Sequence, residues 1–288
     1  MSNHSLNHAI RKTREKLQNQ GISEANLDTK LLVEWVTSTS TIDRILQPDM
    51  CLSSQQIAQL EEAIKRRISG EPTHRIIGTR EFYGISFALS KETLEPRPDT
   101  EILIDLVLPI LKKKVKKSGK ATLLDMGTGT GAIAIAILKQ VVQTCAVAVD
   151  IAEDALKTAT QNAKNADVLH RFTPLLSNWF NTVTGQFDLI ISNPPYIPEK
   201  DIPNLAKEVR QYDPLRALIG GKDGLDFYRK LADESATYLK EEGYIAVEIG
   251  YSQKKEVCNL FEKNGFKCLK IRDDLSGIPR AILFSLNT

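Results

Sequence analysis

Residues 123–138, LLDMGTGTGAIAIAIL, carry the clearest fold signal in the chain. An apolar run leads into three glycines spaced two apart, Gly127, Gly129 and Gly131, and an apolar run of helical length follows. That order predicts a buried strand, a tight turn and a helix, the unit from which parallel α/β sheets are built. Glycine tolerates positive φ, so such a turn brings the backbone N–H groups of residues 127–131 (Gly127, Thr128, Gly129, Thr130, Gly131) close to a ligand, with a helix N-terminus behind them. Because Ala132 follows, the string also satisfies the G-x-G-x-x-G/A pattern. Asp150 ends the next apolar run, VAVD, and is placed to accept from ribose hydroxyls.

The loop and Asp150 fit an NAD enzyme and an S-adenosylmethionine enzyme equally; a glycine turn that only packs strand on helix is the plainer alternative. A second string separates them. In FDLIISNPPY, residues 187–196, a short buried strand runs into Asn193-Pro194-Pro195-Tyr196. A residue before proline is pushed to extended geometry, and each proline fixes its φ and lacks an N–H. The turn therefore offers the Asn193 carboxamide and the bare Pro194 carbonyl as two acceptors for the N–H bonds of a planar –NH₂ group. Hydride transfer has no use for such a pair, whereas methyl transfer to an amide or aryl amine nitrogen does.

Composition narrows the classes further. A formal net charge of +2 over 288 residues gives no overall bias toward nucleic acid or anionic membrane. Cys51, Cys145, Cys258 and Cys268 are scattered without a CxxC pair, which predicts reduced core thiols in a cytoplasmic protein. The polar N-terminus has no apolar signal core, and the longest apolar run, residues 132–138, is too short to span a bilayer. His4, His8, His74 and His170 are isolated and no HExxH string occurs, so no metal is expected.

Residues 5–69 have helical periodicity and near-balanced charge. Leu6, Ile10 and Leu17 mark a first helix, and Ser23 is placed to cap a second with Leu27, Leu31, Leu32 and Trp35. Ser53 and Gln56 form a capping box for a third helix with Ile57, Leu60, Ile64 and Ile68 inward, and a shorter turn falls near 42–46. Phe82, Ile85, Phe87 and Leu89 suggest a hairpin linker. Beyond residue 99, helix and strand patterns alternate. Strands are expected near 121–126, 145–150, 168–173, 187–192, 244–249, 266–271 and 280–285, with helices near 99–113, 130–140, 152–165, 224–241 and 252–264. The run KKKVKK at 112–117 reads as a solvated helix end.

These strings together resemble an amino-directed class I S-adenosylmethionine-dependent methyltransferase, a Rossmann-like fold on a mostly parallel seven-stranded sheet. GEPTHRIIGTREFYG at 70–84, EPRPDTE at 95–101, SNWF at 177–180, ISNPPYIP at 191–198 and RDDLSGIPR at 272–280 resemble the PrmC/HemK family over nearly the whole chain. That family methylates the side-chain nitrogen N5 of the glutamine in the GGQ motif of class-1 peptide-chain release factors. The resemblance implies S-adenosyl-L-methionine as cofactor, with S-adenosyl-L-homocysteine as product and no metal. Residues 127–131 would wrap its methionine part, Asp150 its ribose, and Trp179 would flank the adenine. Asn193 and Pro194 would act on the substrate –NH₂, Asn193 would also contact the cofactor, Pro195 would complete the turn and Tyr196 would pack on the amide plane. Glu95 departs from the family, which carries an apolar residue there; no loss of function is expected. Arg97 and Glu248 rank below these residues.

Residues 1–85 are expected to form an all-α substrate-recognition bundle that includes the start of the linker, and residues 86–288 the methyltransferase domain. The partner implied is a release factor, with no membrane and no direct nucleic-acid binding. Adenine N6 methylation of DNA or RNA is the rival within the class, weakened by the absence of a basic arm. A non-catalytic cofactor-binding module is the rival outside it, weakened by the intact NPPY.

Overall fold

The computed structural model describes residues 5–47 and 50–287. His4 lies outside the described residues. The chain divides into two compact units, Met1–Thr79 and Arg80–Thr288.

The first unit is helical. It comprises α1 (Leu6–Asn19), α2 (Ala25–Thr37), α3 (Thr41–Leu46), α4 (Ser54–Ile68) and α5 (Thr73–Ile77). Ser5 caps α1 by accepting from the His8 N–H, and the Ser53/Gln56 capping box opens α4 as expected. Leu6, Leu17, Leu32, Val33, Leu60 and Ile64 build its core. Two expectations fail here because the interior also holds an ion pair, and a third fails at the cap of α2. Asp28 accepts from Arg67 Nε at 2.7 Å and from Thr73 Oγ1 at 2.7 Å, all three side chains buried. Turning Asp28 inward rotates α2 so that Leu27 is 47% exposed, and turning Arg67 inward leaves Ile68 39% exposed. The cap of α2 is Glu24, without a side-chain bond, and not Ser23.

A hairpin, β1 (Thr79–Phe82) and β2 (Ile85–Ala88), begins at the last residue of the first unit and opens the second, followed by α6 (Glu101–Ser118). Then come β3 (Ala121–Met126), α7 (Ala132–Gln140), β4 (Thr144–Asp150), α8 (Glu153–Asn165), β5 (Phe172–Leu176) and β6 (Phe187–Ser192). The chain ends with α9 (Lys207–Tyr212), α10 (Asp226–Glu234), β7 (Leu239–Glu248), α11 (Lys254–Lys263), β8 (Phe266–Asp273) and β9 (Pro279–Leu286). The sheet order is β5-β4-β3-β6-β7-β9-β8, and β9 alone runs against its neighbours. Its two faces read apolar because both are covered: α6, α7 and α8 pack on one, and α10 and α11 on the other.

The expected strand at 168–173 lies later. A 3₁₀ turn at Leu169–Arg171 precedes β5, which pairs Phe172 with Ala146 and so ends level with Asp150. The lysine run is not wholly solvated: Lys114 reaches the buried Asp188 at 3.4 Å, while Lys117, paired with Glu242 at 2.6 Å, stays exposed. The four cysteines are in no disulfide with one another, and none is a core thiol. Cys51 and Cys145 are exposed, while Cys258 and Cys268 are half-buried.

Candidate active site

Register places the candidate residues at one edge of the sheet. Met126 pairs with Val149 on one side and with Ser192 on the other, and Ser192 pairs in turn with Val247. Strands β3, β4, β6 and β7 therefore end at one level, releasing the glycine loop, Asp150, Asn193 and Glu248 together. Because β4 and β6 flank β3 on opposite sides, this is the point where strand order reverses, the usual ligand crevice of an open α/β sheet. A cavity of about 270 Å³ occupies it.

The glycines do two different jobs. Gly127 (φ 73°) and Gly129 (φ 55°) occupy the left-handed region, and a Cβ on either would enter open space beside the cavity they line. Gly131 does not line the cavity. A Cβ there would lie 2.8 Å from Ile135 Cδ1 and 3.2 Å from Ala159 Cβ, so this glycine lets α7 approach α8.

Two acids hold the loop. Asp150 Oδ2 accepts from the Gly129 N–H at 2.8 Å and Oδ1 from the Ala152 N–H at 2.9 Å. Burial raises its pKa against those N–H bonds. Each oxygen keeps a second lone pair, and the residue lines the cavity, so the carboxylate fits a pair of ribose hydroxyls. Asp125 was missed by sequence reasoning, although an acid inside an apolar strand before a glycine turn is itself a signal. It is fully buried, and Oδ2 accepts from Thr128 Oγ1 at 2.6 Å and from the Ala134 N–H at 3.3 Å. Burial pushes it up to about 7.

Trp179 and Phe227 form an aromatic wall, stacked with centroids 4.8 Å apart. Trp179 holds φ at 56°, a costly conformation for an aromatic residue, in the turn after β5. Phe227 carried no sequence signal, because it follows the cavity's other elements by an irregular stretch.

The NPPY turn divides. Asn193 and Pro195 line the cavity; Pro194 is buried and Tyr196 is turned toward the apolar cluster on the α10/α11 face. The Tyr196 backbone carbonyl accepts from Gln253 Nε2 at 3.0 Å, and burial raises its hydroxyl to about 12. Asn193 donates from Nδ2 to Thr100 Oγ1 at 3.0 Å, and Thr100 donates to Glu248 Oε2 at 2.6 Å. Burial pushes Glu248 up to about 7, opposed by the Thr100 hydrogen bond, the Arg280 charge and Asn193. Arg97 lines the same cavity and pairs with Asp213 at 2.6 Å. Glu95 is buried on the cavity wall and pairs with Arg80 at 3.4 Å, which gives the departing residue a partner.

This lining combines an aromatic wall, a carboxylate with lone pairs to spare, and a loop in which the missing Cβ atoms of Gly127 and Gly129 leave room. Among the described residues, no group of three or more His, Cys, Asp and Glu side chains is arranged to hold a metal, and no helix is long and apolar enough to cross a membrane.

Comparison with known proteins gives the family of the chain. Residues 8–78 match the PrmC N-terminal domain and residues 102–211 the methyltransferase small domain. The chain is 44% identical over 271 residues to a release factor glutamine methyltransferase of Agrobacterium fabrum, covering 94% of each. It is 37% identical to the protein of that description from Bradyrhizobium diazoefficiens, covering 96% of this chain and 94% of the other. Among solved structures, a methyltransferase from Pyrococcus furiosus shares the fold at a TM-score of 0.51 and 17% identity, covering 82% of this chain and 99% of that one.

Proposed function

The chain belongs to the release factor glutamine methyltransferase family, and on that premise we propose that it transfers the methyl group of S-adenosyl-L-methionine to the side-chain nitrogen N5 of the glutamine in the GGQ motif of class-1 release factors. The bound cofactor supplies an electrophilic methyl on a sulfonium centre and its own leaving group. The protein's residues bind and orient. Asp150 takes the ribose diol, Gly127 and Gly129 leave space where a side chain would stand, and Trp179 with Phe227 flanks the base; the N–H groups of Gly127, Thr128, Gly129 and Gly131 are spent within the fold, on Val149, Asp150 and Thr128.

The observation that carries this reading is the Asn193 carboxamide, held at the cavity by its nitrogen. Its Oδ1 is then the half left to accept an N–H from a substrate amide. An amide nitrogen is a poor nucleophile because its lone pair is delocalised into the carbonyl. Accepting from its N–H bonds, by Asn193 Oδ1 and the Pro194 carbonyl, returns density to nitrogen and aims it, so positioning is the main contribution of the protein. Residues 1–85, the helices with the start of the hairpin, serve on this reading to dock the folded release factor, and residues 86–288 to carry out the transfer. The compartment is the cytoplasm, where release factors act.

The deciding experiment is incubation of the protein with methyl-labelled S-adenosylmethionine and a recombinant release factor, followed by peptide mapping. Label on the GGQ glutamine is expected. Label on adenine of added DNA or RNA, with none on the release factor, overturns the reading.

A further inference from the structure

We propose that Glu248 is a positioning residue which, through Thr100 and through its own side-chain hydrogen bond with Asn193, fixes the half of the Asn193 carboxamide that faces the substrate. The inference rests on the proposed amide-nitrogen chemistry. It begins from a buried side-chain relay with a defined direction.

An ionised carboxylate only accepts hydrogen bonds. Glu248 is 2% exposed, and its Oε2 takes the Thr100 hydroxyl hydrogen at 2.6 Å. With that hydrogen committed, Thr100 Oγ1 has only lone pairs to offer its other neighbour. The Asn193 group 3.0 Å away must therefore be the Nδ2 donor, because Oδ1 in its place would set lone pairs against lone pairs. The carboxamide is locked with Oδ1 toward the ligand. The inverted carboxamide would present –NH₂ to a substrate –NH₂, donor against donor. Residues 100, 193 and 248 come from the segment before α6, the end of β6 and the end of β7, so the relay exists only in the folded sheet.

A protonated Glu248 loses this direction. Its O–H can donate to Thr100, freeing the threonine hydrogen for Asn193 Oδ1 and letting the amide turn over. The groups that act on Glu248 are Thr100, Asn193, Arg280 on β9, Asp99 and Tyr196, and the Tyr228 hydroxyl donates to its backbone carbonyl at 2.8 Å. Asp125 and Asp150 are also raised by burial, so wild-type pH dependence alone is not diagnostic. The difference between wild type and Glu248→Gln is.

The test uses the full chain with three variants: Glu248→Gln, Thr100→Val and Thr100→Ser. Both Glu248→Gln and Thr100→Val are expected to lower kcat by about 10- to 100-fold, as loss of an orienting partner does elsewhere. S-adenosylhomocysteine affinity should stay within about threefold, well under the factor of ten that 1.4 kcal/mol represents. Thr100→Ser should recover most of what Thr100→Val loses. Wild-type kcat should fall as pH drops through about 7, where Glu248 takes up its proton, and Glu248→Gln should remove that limb. A second readout needs no substrate: the Asn193 side-chain ¹⁵N–¹H signals, assigned by their loss in Asn193→Ala, should shift with pH in wild type and stay still in Glu248→Gln. Wild-type turnover with an unchanged pH profile in Glu248→Gln, or Asn193 signals that titrate identically in both proteins, overturns the proposal. If wild type transfers no methyl to a release factor, the functional reading fails instead, and the Asn193 signals still decide the relay.

Discussion

Trp179 stacks on Phe227 with ring centroids 4.8 Å apart and planes 27° apart, although 48 residues and most of an α/β repeat separate them. The pair forms one wall of the cavity. Removing Phe227 takes away the surface that keeps Trp179 upright as well as its own contact. Aromatic pairs contribute about 0.5–1.5 kcal/mol beyond burial, so Phe227→Ala is expected to weaken S-adenosylmethionine binding by about 3- to 10-fold. Calorimetry measures this directly, and unchanged affinity removes the adenine from this wall.

Asn193 makes the sharpest catalytic prediction. Asn193→Ala should lower methyl transfer by about 10²–10³, the usual cost of one pre-aligned polar group. Cofactor affinity should change by no more than a few-fold. Turnover at the wild-type rate would end the amine-holding role.

For Asp150 the expected loss is in binding. Its carboxylate holds the Gly129 N–H as well as facing the cavity. Hydrogen bonds to a charged group contribute about 1.5–3 kcal/mol, so Asp150→Ala should weaken S-adenosylmethionine binding about 10- to 100-fold. Tight binding of NAD by the wild-type protein would instead revive the dehydrogenase interpretation of the loop.

The buried Glu248 also predicts how stability follows pH. Its folded pKa, about 7, lies above the ordinary 4.5. Below pH 4.5 the group is neutral folded or unfolded and costs nothing. As pH rises from 4.5 to 7 the unfolded chain ionises first, and the folded state loses stability on the order of 3 kcal/mol. Glu248→Gln cannot ionise. Its melting temperature relative to wild type should therefore rise between pH 4.5 and 7 and then level off. A constant difference across that range would contradict the buried, raised carboxyl.

In the first unit, Asp28→Ala removes the acceptor that Arg67 and Thr73 share. A buried guanidinium left without its carboxylate costs about 3–5 kcal/mol. Urea unfolding should record a loss of that order, and a loss under 1 kcal/mol would mean that water reaches Arg67.

Much of this architecture was legible because it rests on local chemistry. Runs of β-strand length ending in Gly127, Asp150 and Asn193 announce themselves through periodicity and turn residues, and so does the Ser53/Gln56 box. What stayed hidden depends on distant partners. Leu27 and Ile68 look like core residues until Asp28 meets Arg67 across 39 positions. Glu248 ranked low in sequence and Thr100 stood only as part of EPRPDTE; 148 positions apart, they meet only when β7 closes beside β6. Lys114 reads as solvent-facing until Asp188 is found beneath it.

The unlike surroundings of the three loop glycines foretell how random variation of residues 127–131 will sort. Changes at Gly127 or Gly129 meet open space, so the chain should still fold, strained by about 1–2 kcal/mol at a positive φ, while the ligand is crowded out. Changes at Gly131 carry the same positive-φ strain and in addition press on Ile135 Cδ1 and on Ala159 of α8, which must give way. In a deep mutational scan, the first class would give abundant but inactive protein and the second would give little protein at all. A compensating partner for Gly131→Ala should be sought on α8 or at Ile135, with none available for the other two short of a smaller cofactor.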